Sequence, residues 1–291
     1  MAPMQWDDTP IAQAARQAAK MQNSHNLKLP KPEKPRKITI ANQKGGVGKT
    51  TSTVNLAWAL GLHGLKVLVI DLDPQGNAST ALDAEHRMGT PSSYELLIGE
   101  MSAAEVMQQN PVNENVYTIP ATIDLAGSEI ELVSMVRREY RLVDAINDDF
   151  LAEQGFDFVF IDCPPSLGLL TINAMTAVDE VLIPIQCEYY ALEGVGQLLN
   201  NISMIRENLN KNLHISAVLL TMYDGRLNLT IQVLDEVKRF FDKKVYRTVI
   251  PRNVRLSEAP SFGEPVLYYD KASKGTKAYL DLAKEILKRN R

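Results

Sequence analysis

The sequence predicts an α/β fold, a mostly parallel central sheet with helices on both faces, and three observations lead there. Short β-branched runs at 38–41, 67–70, 116–119, 158–161, 181–185, 215–221 and 245–250 alternate with longer helical patterns, the rhythm of β-α-β units. Several of these runs are almost continuously apolar, as strands covered on both faces are. The first run leads through a glycine-rich turn into a helical pattern that lasts to Leu60. With 291 residues and 45% hydrophobic content the chain can bury a large core, and α/β folds of this length often stay undivided. Residues 37–291 are therefore read as one domain and 1–36 as a flexible tail.

Within that tail, 28–37 (KLPKPEKPRK) alternates proline with charge and can form neither helix nor strand ladders, so it reads as an extended linker. Thr9 and Pro10 look like the N-cap and first residue of a short Ala-rich helix over 11–21, too short to be stable alone. No run of about 18 apolar residues occurs, and the first ten residues lack a basic segment followed by an apolar one. A cytoplasmic location is expected. Cys163 and Cys187 are too few for a disulfide framework and form no CxxC pair. The net charge of −4 hides an asymmetry: 16 Lys/Arg against 27 Asp/Glu through Gly225, then 15 against 8. A basic last quarter on an acidic body suggests a local polyanion site, with a solvated basic face as the bland alternative.

Ligands of such sheets sit beyond the carboxyl ends of the strands, so the residues after each run matter most. After the first run come Gln43, Lys44, Gly45, Gly46, Val47, Gly48, Lys49, Thr50 and Thr51. A glycine turn from strand to helix aims backbone N–H groups at one spot, at the positive end of a helix dipole. That is a phosphate cradle, in which Lys49 can reach β and γ phosphates and Thr50 can ligate Mg²⁺. The strict Walker pattern puts glycine where this chain has Gln43, and Lys44 is an added lysine. The second run ends in Asp71-Leu72-Asp73-Pro74-Gln75-Gly76-Asn77, whose alternation sets Asp71 and Asp73 on one side. A carboxylate there can orient an attacking water or steady the metal's shell. The run at 158–161 delivers Asp162 to the same region, as a hydrated Mg²⁺ requires.

KGGVGKTT after an apolar strand, with the DLDPQGN and DCPP boxes, resembles the deviant Walker A box of the ParA/MinD superfamily of P-loop NTPases. The stretches QCEYYALEG, TMYDGR and PRNVRLSEAPS are similar to the Soj-type chromosomal members, and the likeness spans about residues 37–290. The resemblance implies an ATPase with slow intrinsic turnover that forms an ATP-dependent homodimer, Lys44 reaching the partner's phosphates. It implies that Asp73 positions water and that Pro251 and Asn253 contact adenine. For Asp71 it leaves open an outer-shell metal role or loop capping. It further implies non-specific binding of double-stranded DNA through Arg226 and Arg255, extended by Arg252, Lys271, Lys274 and Lys277, and a nucleoid-associated protein. Release would follow hydrolysis stimulated by the N-terminal peptide of a ParB-type partner.

Three rivals share the phosphate boxes. A MinD-like membrane ATPase needs a free amphipathic C-terminal helix, but the stripe of Tyr279, Leu282, Ile286 and Leu287 has the form of a core-docking face, and no stable membrane association is expected. An iron–sulfur protein related to the nitrogenase iron protein needs cluster cysteines, whose arrangement Cys163 and Cys187 do not resemble. A nucleotide-gated module without hydrolysis has no use for Asp73. His25, His63, His86 and His214 share no ligand spacing, and Trp58 in the helix after the cradle is expected in the core.

Overall fold

The computed structural model describes residues 29–189 and 191–289; the helix expected over 11–21 lies outside the described residues. Seven strands form one sheet: β1 (Arg36–Ile40), β2 (Val67–Asp71), β3 (Gln108–Gln109), β4 (Val116–Ile119), β5 (Phe158–Asp162), β6 (Glu180–Gln186) and β7 (His214–Thr221). Their order is β3-β4-β2-β5-β1-β6-β7. All pairings are parallel except that of β3 with β4.

Alternation along the strands divides the core in two. Val67, Val69, Phe158 and Phe160 face one layer, which holds α1 (Lys49–Leu62) and a C-terminal helix (Lys274–Lys288). Leu68, Ile70, Val159 and Ile161 face the other, with α2 (Leu125–Val133), α3 (Leu169–Ala177), α4 (Val195–Asn208) and α5 (Asn228–Phe241). The C-terminal helix, α6, buries Tyr279, Leu282, Ile286 and Leu287, the expected stripe, and the Tyr279 hydroxyl meets Ser52 Oγ of α1 at 3.2 Å. Trp58 lies in the same layer. Both cysteines are free thiols and buried.

The sequence departs from the structure at one expected strand. Residues 245–250 form no strand; Val245 makes an isolated bridge to Val218 of β7, and just past both segments Tyr223 bridges Pro251. Their backbone is drawn away in the middle because the N–H groups of Arg247 and Thr248 donate to the Glu285 carboxylate of α6, at 2.8 and 2.9 Å. The seventh strand is instead β3, two glutamines with no apolar signature, paired antiparallel with Tyr117 and Thr118.

Candidate active site

Parallel register brings three strand ends to one place. Ile40 and Asp71 both stand opposite Asp162, so the exits of β1, β2 and β5 are neighbours. From β1 the chain enters the glycine loop, where Asn42 ties the start of the turn to β6: its Nδ2 donates to Pro184 O at 2.7 Å and its Oδ1 accepts from Lys44 N at 3.0 Å. Gly46 and Gly48 have φ of 72° and 89°, the left-handed region that side chains disfavour. Around Gly45 and Gly46 nothing approaches within 4 Å of an added Cβ, which leaves room above the loop. Thr221 at the end of β7 braces it from behind, donating to Val47 O at 2.9 Å. α1 then begins at Gly48 with no side-chain cap and no acid in its first turn, so its positive end is left for an anion.

Lys49 is buried beneath the loop, and its Nζ donates to Lys44 O at 3.3 Å. Burial lowers its pKa, opposed chiefly by the charge of Asp162. Thr50 Oγ1 donates to Asp162 Oδ2 at 2.7 Å, and Thr53 Oγ1 to Asp162 Oδ1 at 3.2 Å. Thr51 is part-buried one residue further along the helix.

Asp71 and Asp162 are both fully buried, and burial pushes both carboxyls upward, the charge of Asp71 adding to the effect on Asp162. Asp71 is committed to its own loop, accepting from Ser79 N at 2.8 Å, Ser79 Oγ at 2.7 Å and Asp73 N at 3.1 Å. Its grip holds Asp73, whose Oδ1 accepts from Gln75 N at 3.0 Å, at the rim of the site rather than in its floor. The donor set fits a hard divalent cation: a threonine hydroxyl touching a buried carboxylate, beside a second buried carboxylate, all oxygen. A cation there would relieve the strain of burying two like charges.

The loop expected at the base lies beside the exit of β7. Tyr223 N donates to Ile250 O and Arg252 N to Tyr223 O, both at 3.0 Å, which fixes Pro251 between them. Asn253 serves as N-cap of the turn Val254–Glu258, its Oδ1 accepting from Arg255 N at 2.8 Å.

The basic candidates are exposed but not bare. Arg226 grips Asp224 through two nitrogens, at 2.8 and 2.6 Å, and this holds the Asp224 carboxyl down at about 2. Arg255 pairs with Glu258 at 2.8 Å and Asp270 at 3.3 Å, and Arg252 stands 3.7 Å from Glu188. Lys271, Lys274 and Lys277 are exposed around the start of α6. Sequence reasoning missed Thr53, although its i+3 spacing from Thr50 on one helix face was a usable signal. It also gave no role to Ser79, Thr221 or Glu188, although the last two lie in the stretches TMYDGR and QCEYYALEG.

The family model AAA_31, described as an AAA domain, matches residues 35–215. Over 249 residues the chain is 55% identical to the sporulation initiation inhibitor protein Soj of Bacillus subtilis (strain 168), covering 86% of this chain and 97% of that protein. It is 50% identical over 256 residues to the chromosome partitioning protein ParA of Caulobacter vibrioides (strain NA1000 / CB15N), covering 88% and 95%. Among solved structures it resembles cobyrinic acid a,c-diamide synthase from Mycobacterium smegmatis with bound ATP analog and magnesium, at a TM-score of 0.74 and 37% identity over 87% of this chain and 95% of that one. Sharing half or more of its aligned residues with Soj and ParA across nearly their whole length, the chain belongs to the ParA/Soj family of chromosome-partitioning ATPases.

Proposed function

We propose that this ATPase is a nucleotide-driven switch for DNA partitioning, acting in the cytoplasm on the nucleoid. The observation that carries the reading is the 2.7 Å contact of Thr50 with Asp162, beside the buried Lys49 and beneath an open glycine loop. Backbone N–H groups from Gly45 to Thr51 would cradle the phosphates of ATP, and Lys49 would leave the Lys44 carbonyl to meet them. Thr50 would hold Mg²⁺ directly and Asp162 through its water shell. The bound cation neutralises charge on the phosphates as it develops. Asp73, held at the rim by the Asp71 loop, orients the attacking water. Pro251 and Asn253 flank the base.

In this reading Lys44 reaches the phosphates of a second subunit, so that ATP makes a homodimer. Dimerisation doubles the surface carrying Arg226, Arg255, Arg252, Lys271, Lys274 and Lys277, and so roughly doubles the logarithmic salt slope of DNA binding. Such phosphate contacts carry no sequence information, which suits binding anywhere on a duplex. DNA phosphates must displace Asp224, Glu258 and Asp270 from these arginines, which adds to the salt sensitivity. A ParB-type partner, through its N-terminal peptide, would raise turnover and release the DNA. Membrane attachment has no place in the reading, because the apolar face of α6 is used against α1.

The decisive measurement is the ATPase rate with duplex DNA and a ParB-type N-terminal peptide, added separately and together. Synergy is expected; additive or absent stimulation removes the partition switch. An Asp73→Ala variant should keep ATP and remain on DNA, and rapid turnover by it would refute its role. Loss of most DNA binding is expected of Arg226→Ala combined with Arg255→Ala, and full retention would remove the DNA surface.

A further inference from the structure

Glu188 stands where three loops meet at the phosphate end of the sheet. Its Oε2 lies 3.7 Å from Lys44 Nζ, and its Oε1 lies 3.7 Å from an Arg252 guanidinium nitrogen. Gln186, the last residue of β6, donates its Nε2 to Glu188 Oε1 at 2.5 Å and also meets Met222 Sδ at 3.0 Å. One carboxylate thus joins the glycine loop, the exit of β6 and the 251–253 loop.

The backbone of Lys44 is tied down independently, its N–H by Asn42 and its carbonyl by Lys49. The ion pair with Glu188 therefore sets where the side chain points and leaves the loop alone. An ammonium group is a compact point charge. The carboxylate 3.7 Å away answers part of the Lys44 charge and so competes with the phosphates of another subunit for it.

We propose that Glu188 is a positioning residue that holds Lys44 on its own subunit and so sets the ATP concentration at which two subunits join. The inference rests on the reading above, in which Lys44 acts across a dimer. Both partners are about half exposed, with side-chain accessibilities of 40% and 46%, so the pair biases the equilibrium weakly instead of locking it. Arg252 makes release easier, because a Glu188 that loses Lys44 keeps a cation at its other oxygen. A ligand shifts such an equilibrium only by its differential affinity for the two states, and here one lysine has two competing acceptors.

The test uses the full chain, with Glu188→Gln to remove the charge and Glu188→Asp to keep it. Lys44 is first probed without nucleotide, by acylation with an amine-reactive ester and peptide mass spectrometry. Glu188→Gln should raise Lys44 labelling about two- to five-fold, the range open to a half-exposed pair, with Lys49 labelling unchanged. Glu188→Asp should stay near the parent. Sedimentation then gives the ATP concentration for half-maximal dimer, which should fall by a similar factor in Glu188→Gln while ADP affinity stays within about two-fold. Unchanged Lys44 labelling overturns the contact. Raised labelling with an unmoved dimer midpoint overturns the control of pairing, and an equal shift in ADP affinity reduces the effect to general charge. Absence of an ATP-driven dimer in parent and variants alike overturns the proposed function itself, and this inference with it.

Discussion

The nucleotide end of the sheet and the basic last quarter of the chain carry charge in opposite ways. At the strand exits Asp71, Asp162 and Lys49 are buried, and each is held by a hydroxyl or backbone group within the same small cluster. Over the last quarter the charges are exposed, and Arg226 and Arg255 close on carboxylates of their own neighbourhood. Buried charge must be answered locally or it is expelled, so its position is over-determined by the fold. Exposed pairs are worth little and exchange readily, which is what a surface that takes up and releases a polyanion needs.

The contrast can be broken first at Lys49. Lys49→Ala should lower steady-state phosphate release at least about 100-fold, in the range for removing one preorganised charge from a phosphoryl-transfer site. Turnover near that of the parent would mean that the buried cluster is only structural. Next comes Tyr279, which places a helix of the basic quarter in the core. Urea unfolding of Tyr279→Ala should show a loss of about 3–5 kcal/mol, the range for truncating a buried aromatic side chain. Tyr279→Phe, which removes only the hydroxyl facing Ser52, should cost about 1 kcal/mol. A negligible loss in the alanine variant would show α6 to be as loosely held as the charges it displays.

The smallest effect sharpens the exposed side. Arg226→Ala should let the Asp224 carboxyl rise from about 2 toward its ordinary value, read by NMR titration of that side chain. With the folded value depressed, whatever the pair contributes is present above the ordinary carboxylate range and disappears as pH falls toward about 2. An unmoved titration would show that Arg226 is already free for other acceptors.

The same contrast explains what could be read from the sequence. Six of the seven runs became strands because burial on both faces leaves a dense apolar signature, as in Phe158–Asp162. That Lys49, Thr50 and Asp162 come together was legible because a phosphate and metal site would demand those residue types where strands exit and a helix begins. The run at 245–250 carried the same apolar signature but lost its ladder to Glu285, a residue nearly forty positions away. β3 had no signature at all, since Gln108 and Gln109 pair at an edge. Glu188 was given no role for a related reason: its partners Lys44 and Arg252 are set by which loops the topology brings together, and no spacing along the chain encodes that.

The contact of α6 with α1 has a bearing on how the molecule is made. The helix that opens the phosphate cradle is enclosed between the sheet and residues 274–288, so one of the earliest pieces of the domain is completed by one of the last. A ribosome stalled before residue 274 displays the whole cradle motif, yet the back of its supporting helix is open to water. Burial of that helix's apolar back therefore waits until residues 274–288 have been made.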